Sequence, residues 1–69
     1  MTSDEQMRII TNWTRGARVS PTPNGWWYGR VSFTDGIVQH VGPYRVVDQV
    51  IGTCYELVRA SVWSIVDEA

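Results

Sequence analysis

The sequence predicts an α+β domain of the order αβββα. It would hold a three-stranded antiparallel sheet, a C-terminal amphipathic helix packed on one sheet face, and a helix before the first strand. Three observations carry this reading. Between Gly25 and Val41, two runs rich in aromatic and β-branched residues flank an Asp35-Gly36 turn, the pattern of a β-hairpin. From Val47 onward, Val50, Ile51, Cys54, Leu57 and Val58 recur at three- and four-residue spacing and draw one apolar stripe along a helix. Ahead of both, Ser3 with Gln6 fits a capping box, and Asp4 and Glu5 suit the positive end of a helix dipole.

Taken in order, residues 3–16 carry the punctuation of a first helix, with Gly16 suited to the position just past its end. Gln6, Ile9, Ile10, Trp13 and Ala17 then share one face, which assigns Trp13 to the interior. The β-branched run Ile9-Ile10-Thr11 supports a competing strand over residues 8–13. Ala17-Arg18-Val19-Ser20 is a short extended piece fit for a sheet edge. Pro21-Thr22-Pro23-Asn24-Gly25 is a loop, because each proline holds its predecessor extended and Asn24-Gly25 turns the chain.

The hairpin admits two registers. A two-residue turn sets Phe33 beside Val38; a three-residue loop, Thr34-Asp35-Gly36, sets Phe33 beside Ile37. The second separates apolar from polar better and is preferred. It gathers Trp27, Val31, Phe33, Ile37 and Val41 on one side, leaving Trp26, Tyr28, Arg30, Ser32, Val38 and His40 on the other. Gly42-Pro43 closes the strand, and Pro43 suits the first turn of a helix. The helix over 45–60 covers the Trp27/Val31/Phe33 face and turns Asp48, Gln49, Gly52, Thr53, Glu56 and Arg59 outward. The tail 61–66 either continues this helix, the preferred reading, or forms a strand.

Composition narrows the function classes. The 69 residues make one domain, 1–69, near the size at which a core alone suffices. A single cysteine, Cys54, excludes an internal disulfide and points to a reducing, cytoplasmic setting. No apolar run approaches the ~20 residues of a membrane span, so no membrane association is expected. M-T-S-D-E-Q lacks the apolar stretch of a secretory signal. The net charge of −1 argues against a general polyanion binder. Acidic residues cluster at both ends, whereas residues 8–45 carry Arg8, Arg15, Arg18, Arg30 and Arg45 against Asp35 alone. Every basic residue is arginine, the side chain capable of planar bidentate and stacking contacts.

Catalytic and metal motifs are missing. His40 is the single histidine, and no ligand spacing joins it to Cys54 or the carboxylates. Cys54 falls on the apolar line of its helix, where a buried small residue is the ordinary reading. A general-base pair of His40 with Asp35 or Asp48 is not required by any spacing. Glycine-rich phosphate loops and nucleophile elbows do not occur. The expectation is therefore a non-enzymatic chain without cofactor or metal.

The aromatics remain. Trp26, Tyr28, Arg30 and His40 share the sheet face opposite the helix, with Arg45 and Trp63 at its edge. These residue types are enriched at binding hot spots. The expectation is a small protein-binding module, an inhibitor or adaptor of the accessory kind that phages and mobile elements encode against a host defence complex. Its partner would be a protein, a protein–nucleic acid complex or a second copy of the chain. The alternative is a single-stranded nucleic-acid or RNA binder, with bases stacked on Trp26 and Tyr28 and phosphates on Arg15, Arg18, Arg30 and Arg45.

With a first helix, the layout of Tyr28–Phe33, the turn and the helix after Gly42 resembles the double-stranded RNA-binding domain. That family opens its last helix with lysines. The corresponding stretch here is Tyr44-Arg45-Val46-Val47-Asp48, so the resemblance implies the fold and carries over no RNA-binding residue. With a first strand, the order βββα is similar to the partial fold of HicB-like antitoxins.

Overall fold

The computed structural model describes residues 1–68, with side chains through Val62. It contains α1 (Ser3–Trp13), β1 (Gly16–Pro21), β2 (Trp27–Ser32), β3 (Val38–Tyr44) and α2 (Val47–Glu68). The order is αβββα, as the sequence predicts. The strand alternative for residues 8–13, and with it the HicB-like order, is overturned, and the tail continues the helix.

Helix α1 starts one residue earlier than the Ser3 capping box implies. Thr2 is the N-cap, its hydroxyl accepting from Glu5 N at 3.2 Å. That frees Ser3 Oγ to donate to Asp48 Oδ1 at 2.7 Å, which ties the start of α1 to the first turn of α2. The inward line of α1 is Met7, Ile10 and Thr14, not the face through Trp13. Ile10 is fully buried, and the buried Thr14 hydroxyl donates to Ile10 O at 2.7 Å, satisfying it within the helix's own last turn. Trp13, the last helical residue, overhangs the end of the core and is 58 % exposed, correcting its interior assignment.

The sheet is a meander in the order β1-β2-β3, both pairs antiparallel. Its two hairpins use the same three-residue loop. Phe33 N donates to Ile37 O at 2.8 Å and Gly36 N to Phe33 O at 3.1 Å; likewise Thr22 N donates to Trp26 O at 2.8 Å and Gly25 N to Thr22 O at 3.0 Å. Pro23-Asn24-Gly25 and Thr34-Asp35-Gly36 thus each end on a left-handed glycine, with φ of +82° at Gly25 and +92° at Gly36. The preferred three-residue register is the one found.

One side of the sheet is covered. Helix α2 lies over all three strands, and α1 packs against α2 and the β1 side. Ile10, Val31, Phe33, Val41, Val50, Ile51, Cys54 and Val58 form the core, with Met7, Ala17, Val19, Trp27, Tyr44, Val47, Tyr55, Leu57 and Val62 packed around it. The α2 stripe read from the sequence is therefore the buried one. Ile37 shares the parity of Phe33 but is 55 % exposed, a second correction. It stands beside the turn, before edge strand β3, where a cavity of about 470 Å³ separates it from Leu57, Ala60 and Ser61.

Gly52 faces open space, with nothing within 4 Å of a Cβ built there. Gly52→Ala should therefore stabilise the fold by about 0.5–1 kcal/mol, through lower unfolded-state entropy and better helix propensity. A rise in the urea midpoint at constant slope is the expected readout.

Candidate functional site

The register converts the outer sheet face into rows running across the strands. Arg18 pairs with Arg30, and Arg30 pairs with His40, so these three residues stand side by side on β1, β2 and β3. One row nearer the β1–β2 turn, Ser20 pairs with Tyr28. One row the other way, Gly16, Ser32 and Val38 are in register. Past Tyr28, the β2–β3 pairing shifts by one residue: Gly29 meets Val41, but Trp27 meets Tyr44. The extra residue lies at Gly42-Pro43, joined by a cis peptide bond.

That shift places Arg45 opposite Trp26, the positions next to the Trp27–Tyr44 pair. The Arg45 guanidinium lies over the Trp26 ring, 4.2 Å from its centroid. The Trp26 backbone is held by the turn before it, its N–H donating to Thr22 Oγ1 and its carbonyl accepting from the same hydroxyl, both at 3.2 Å. Without the bulge, Arg45 would fall out of phase with Trp26.

Tyr28, Arg30, His40 and Arg45 are exposed and Trp26 is half-buried, so five of the six residues predicted for the site come together on one face. The sixth, Trp63, has its side chain outside the described residues. Arg18 belongs to the same face, and Arg15 stands at its β1 end. A concavity of about 230 Å³ is lined by Arg15, Gly16, Ala17, Arg18, Arg30 and Ser32. The three strands contribute no carboxylate. Among the described residues, none of Arg15, Arg18, Arg30 and Arg45 is ion-paired.

Both aspartates weighed as partners for His40 are hydrogen-bonded elsewhere. Asp35 Oδ1 accepts from Ile37 N at 3.0 Å within its own turn, and Asp48 is engaged by Ser3. Cys54 is 1 % exposed beneath the sheet, and burial pushes its thiol above the ordinary value. Among the described residues, no group of three His, Cys, Asp or Glu is placed to hold a metal ion, and no helix is long and apolar enough to cross a membrane.

Sequence reasoning left Arg18 out of the primary patch. The missing signal was the β1 parity: Arg18 and Ser20 alternate with the inward Ala17 and Val19, which puts Arg18 on the Arg30 side once β1 pairs with β2. Compared with known proteins, the chain matches no family model, no curated protein and no solved structure.

Proposed function

We propose that this chain is a non-enzymatic protein-binding module, an inhibitor or adaptor, that docks through the outer face of its sheet. The observation that carries the reading is an aromatic and arginine surface over which, among the described residues, no element packs, and to which the three strands contribute no carboxylate. Aromatics and arginine supply large contact area and bidentate donors, the usual anchors of protein interfaces.

Two arguments favour a different protein as the occupant. A symmetric dimer through this face would set Arg18, Arg30 and Arg45 of each copy against the same basic face, with no counter-charge. Base stacking on Trp26, the alternative reading, meets a ring that is half-buried and already has the Arg45 guanidinium on one face.

The test compares the wild-type chain with the double variant Trp26→Ala/Tyr28→Ala. The immobilised wild type should retain a protein from a host lysate. The variant should bind it at least about thirtyfold more weakly, the loss of a hot-spot contact, while melting as a folded domain. Equal retention by both chains would remove this face as the site. Unfolding of the variant would show the pair to be structural. A single-stranded oligonucleotide bound at low salt and released steeply by added salt would replace the reading with nucleic-acid binding.

A further inference from the structure

We infer that the partner presents an acidic segment, a cluster of Asp or Glu carboxylates, to an oxyanion subsite formed by Arg15, Arg18 and Arg30. The inference rests on the binding-face reading above and adds the chemistry of the partner.

The subsite is local and built by the register. Arg18 and Arg30 are directly opposed across β1 and β2, and His40 continues the row on β3. Like charges directly opposite across strands destabilise a sheet, and among the described residues neither arginine is ion-paired to a carboxylate. Arg15 is brought to the same place because its N–H donates to Ser32 O at 2.8 Å, extending the β1–β2 ladder past Gly16. The three arginines then line one concavity of about 230 Å³, floored by Gly16, Ala17 and Ser32. A Cβ on Gly16 would meet nothing within 4 Å, so the floor is open to an incoming group.

Guanidinium forks match planar carboxylates bidentately, and several forks around one hollow match a cluster of them. Carboxylate is favoured over a nucleic-acid backbone because Arg15, Arg18 and Arg30 converge on one hollow, while Arg45, the other arginine of the face, lies on the Trp26 ring beyond the uncharged Ser20–Tyr28 row. A strand of phosphates needs a continuous basic track.

The experiment titrates the full ¹⁵N-labelled chain with an octaglutamate peptide at low salt, beside inorganic phosphate and a dT8 oligonucleotide. Octaglutamate should shift the amides of Gly16, Ala17 and Ser32 and the Nε–H groups of Arg15, Arg18 and Arg30. Arg18→Ala and Arg30→Ala should each weaken it about fivefold, the size of an exposed charge pair, whereas Arg8→Ala on α1 should not. Both variants should fold, since each relieves the Arg18–Arg30 opposition. The charge-preserving Arg18→Lys/Arg30→Lys variant should also weaken binding, because lysine lacks the fork.

Absence of shifts at this end would overturn the subsite, as would full affinity in the lysine variant. Tighter binding of dT8 than of octaglutamate would assign the site to nucleic acid; binding of inorganic phosphate alone would reduce it to a small-anion site. Trp26→Ala/Tyr28→Ala should leave the octaglutamate shifts in place. Loss of the octaglutamate effect, with the aromatic pair still governing protein retention, would therefore overturn the subsite and leave the binding-module reading standing.

Discussion

Gly29→Ala should destabilise the folded chain by about 1–3 kcal/mol, the cost of forcing an extra carbon into a packed core. Gly29 sits in the middle strand on the side that α2 covers. A Cβ built there would lie 2.5 Å from Val50 Cγ1, closer than packed atoms tolerate, and 3.1 Å from Cys54 Sγ, a tight contact. Neither neighbour yields cheaply. Val50 is fully buried, and a β-branched side chain in a helix has one strongly preferred rotamer. Cys54 is one helical turn along the same line, so both contacts push α2 off the sheet together. A domain of this size holds roughly 3–10 kcal/mol in total, so the change would take a large share of its stability.

The predicted damage has its own reporter. Cys54 is 1 % exposed, out of reach of a labelling reagent, and burial pushes its thiol above the ordinary value. Thiol labelling in native buffer should be slow in the wild type and markedly faster in Gly29→Ala, alongside a lower urea midpoint. Gly52→Ala, two residues from Val50 on the same helix but facing open space, should move the midpoint the other way. Equal midpoints for wild type and Gly29→Ala would mean that α2 does not seat on β2 at this glycine.

The contrast between these two glycines marks what a sequence can and cannot disclose. Both look like helix or strand weaknesses in the text of the chain, and their spacing says nothing of what approaches them. The α2 stripe was legible because periodicity and burial report the same physics: Val50, Ile51, Cys54 and Val58 are spaced for one face, and that face is buried. The β2–β3 register was legible because slipping it by one residue would expose Phe33 or Val31, and Asp35-Gly36 supplies the turn chemistry. Ile37 follows the same parity yet stays exposed, since its burial depends on how far α2 reaches across the sheet rather than on alternation.

The binding face divides in the same way. Trp26, Tyr28, Arg30 and His40 follow from strand alternation alone. Arg45 over Trp26 does not, because it depends on the one-residue shift at Gly42-Pro43, a feature of the pairing and not of either strand. Gly42 has φ of +117°, and a Cβ there would lie 2.8 Å from Trp27 O, so glycine is needed where the chain bends to bring Arg45 round. The Arg18–Arg30 opposition likewise exists only once β1 and β2 are in register.

On α1, Ile10→Ala should cost about 2–5 kcal/mol and Trp13→Ala less than about 1 kcal/mol, although the larger side chain is the tryptophan. Helical spacing places both residues on one face, and size would make Trp13 the anchor. The packing decides otherwise. Ile10 is fully buried among the core side chains, so its truncation leaves a cavity that fixed neighbours cannot fill. Trp13 is 58 % exposed at the end of the helix, bordering shallow hollows beside Tyr55, Val58 and Val62, and its removal opens no enclosed void. The inward position one residue further on is taken by Thr14, whose hydroxyl is satisfied at Ile10 O. Urea unfolding of the two variants at low temperature measures the difference directly. Equal losses would mean that α1 is rotated to bury Trp13, and with it the tie between Ser3 and Asp48 would have to be abandoned.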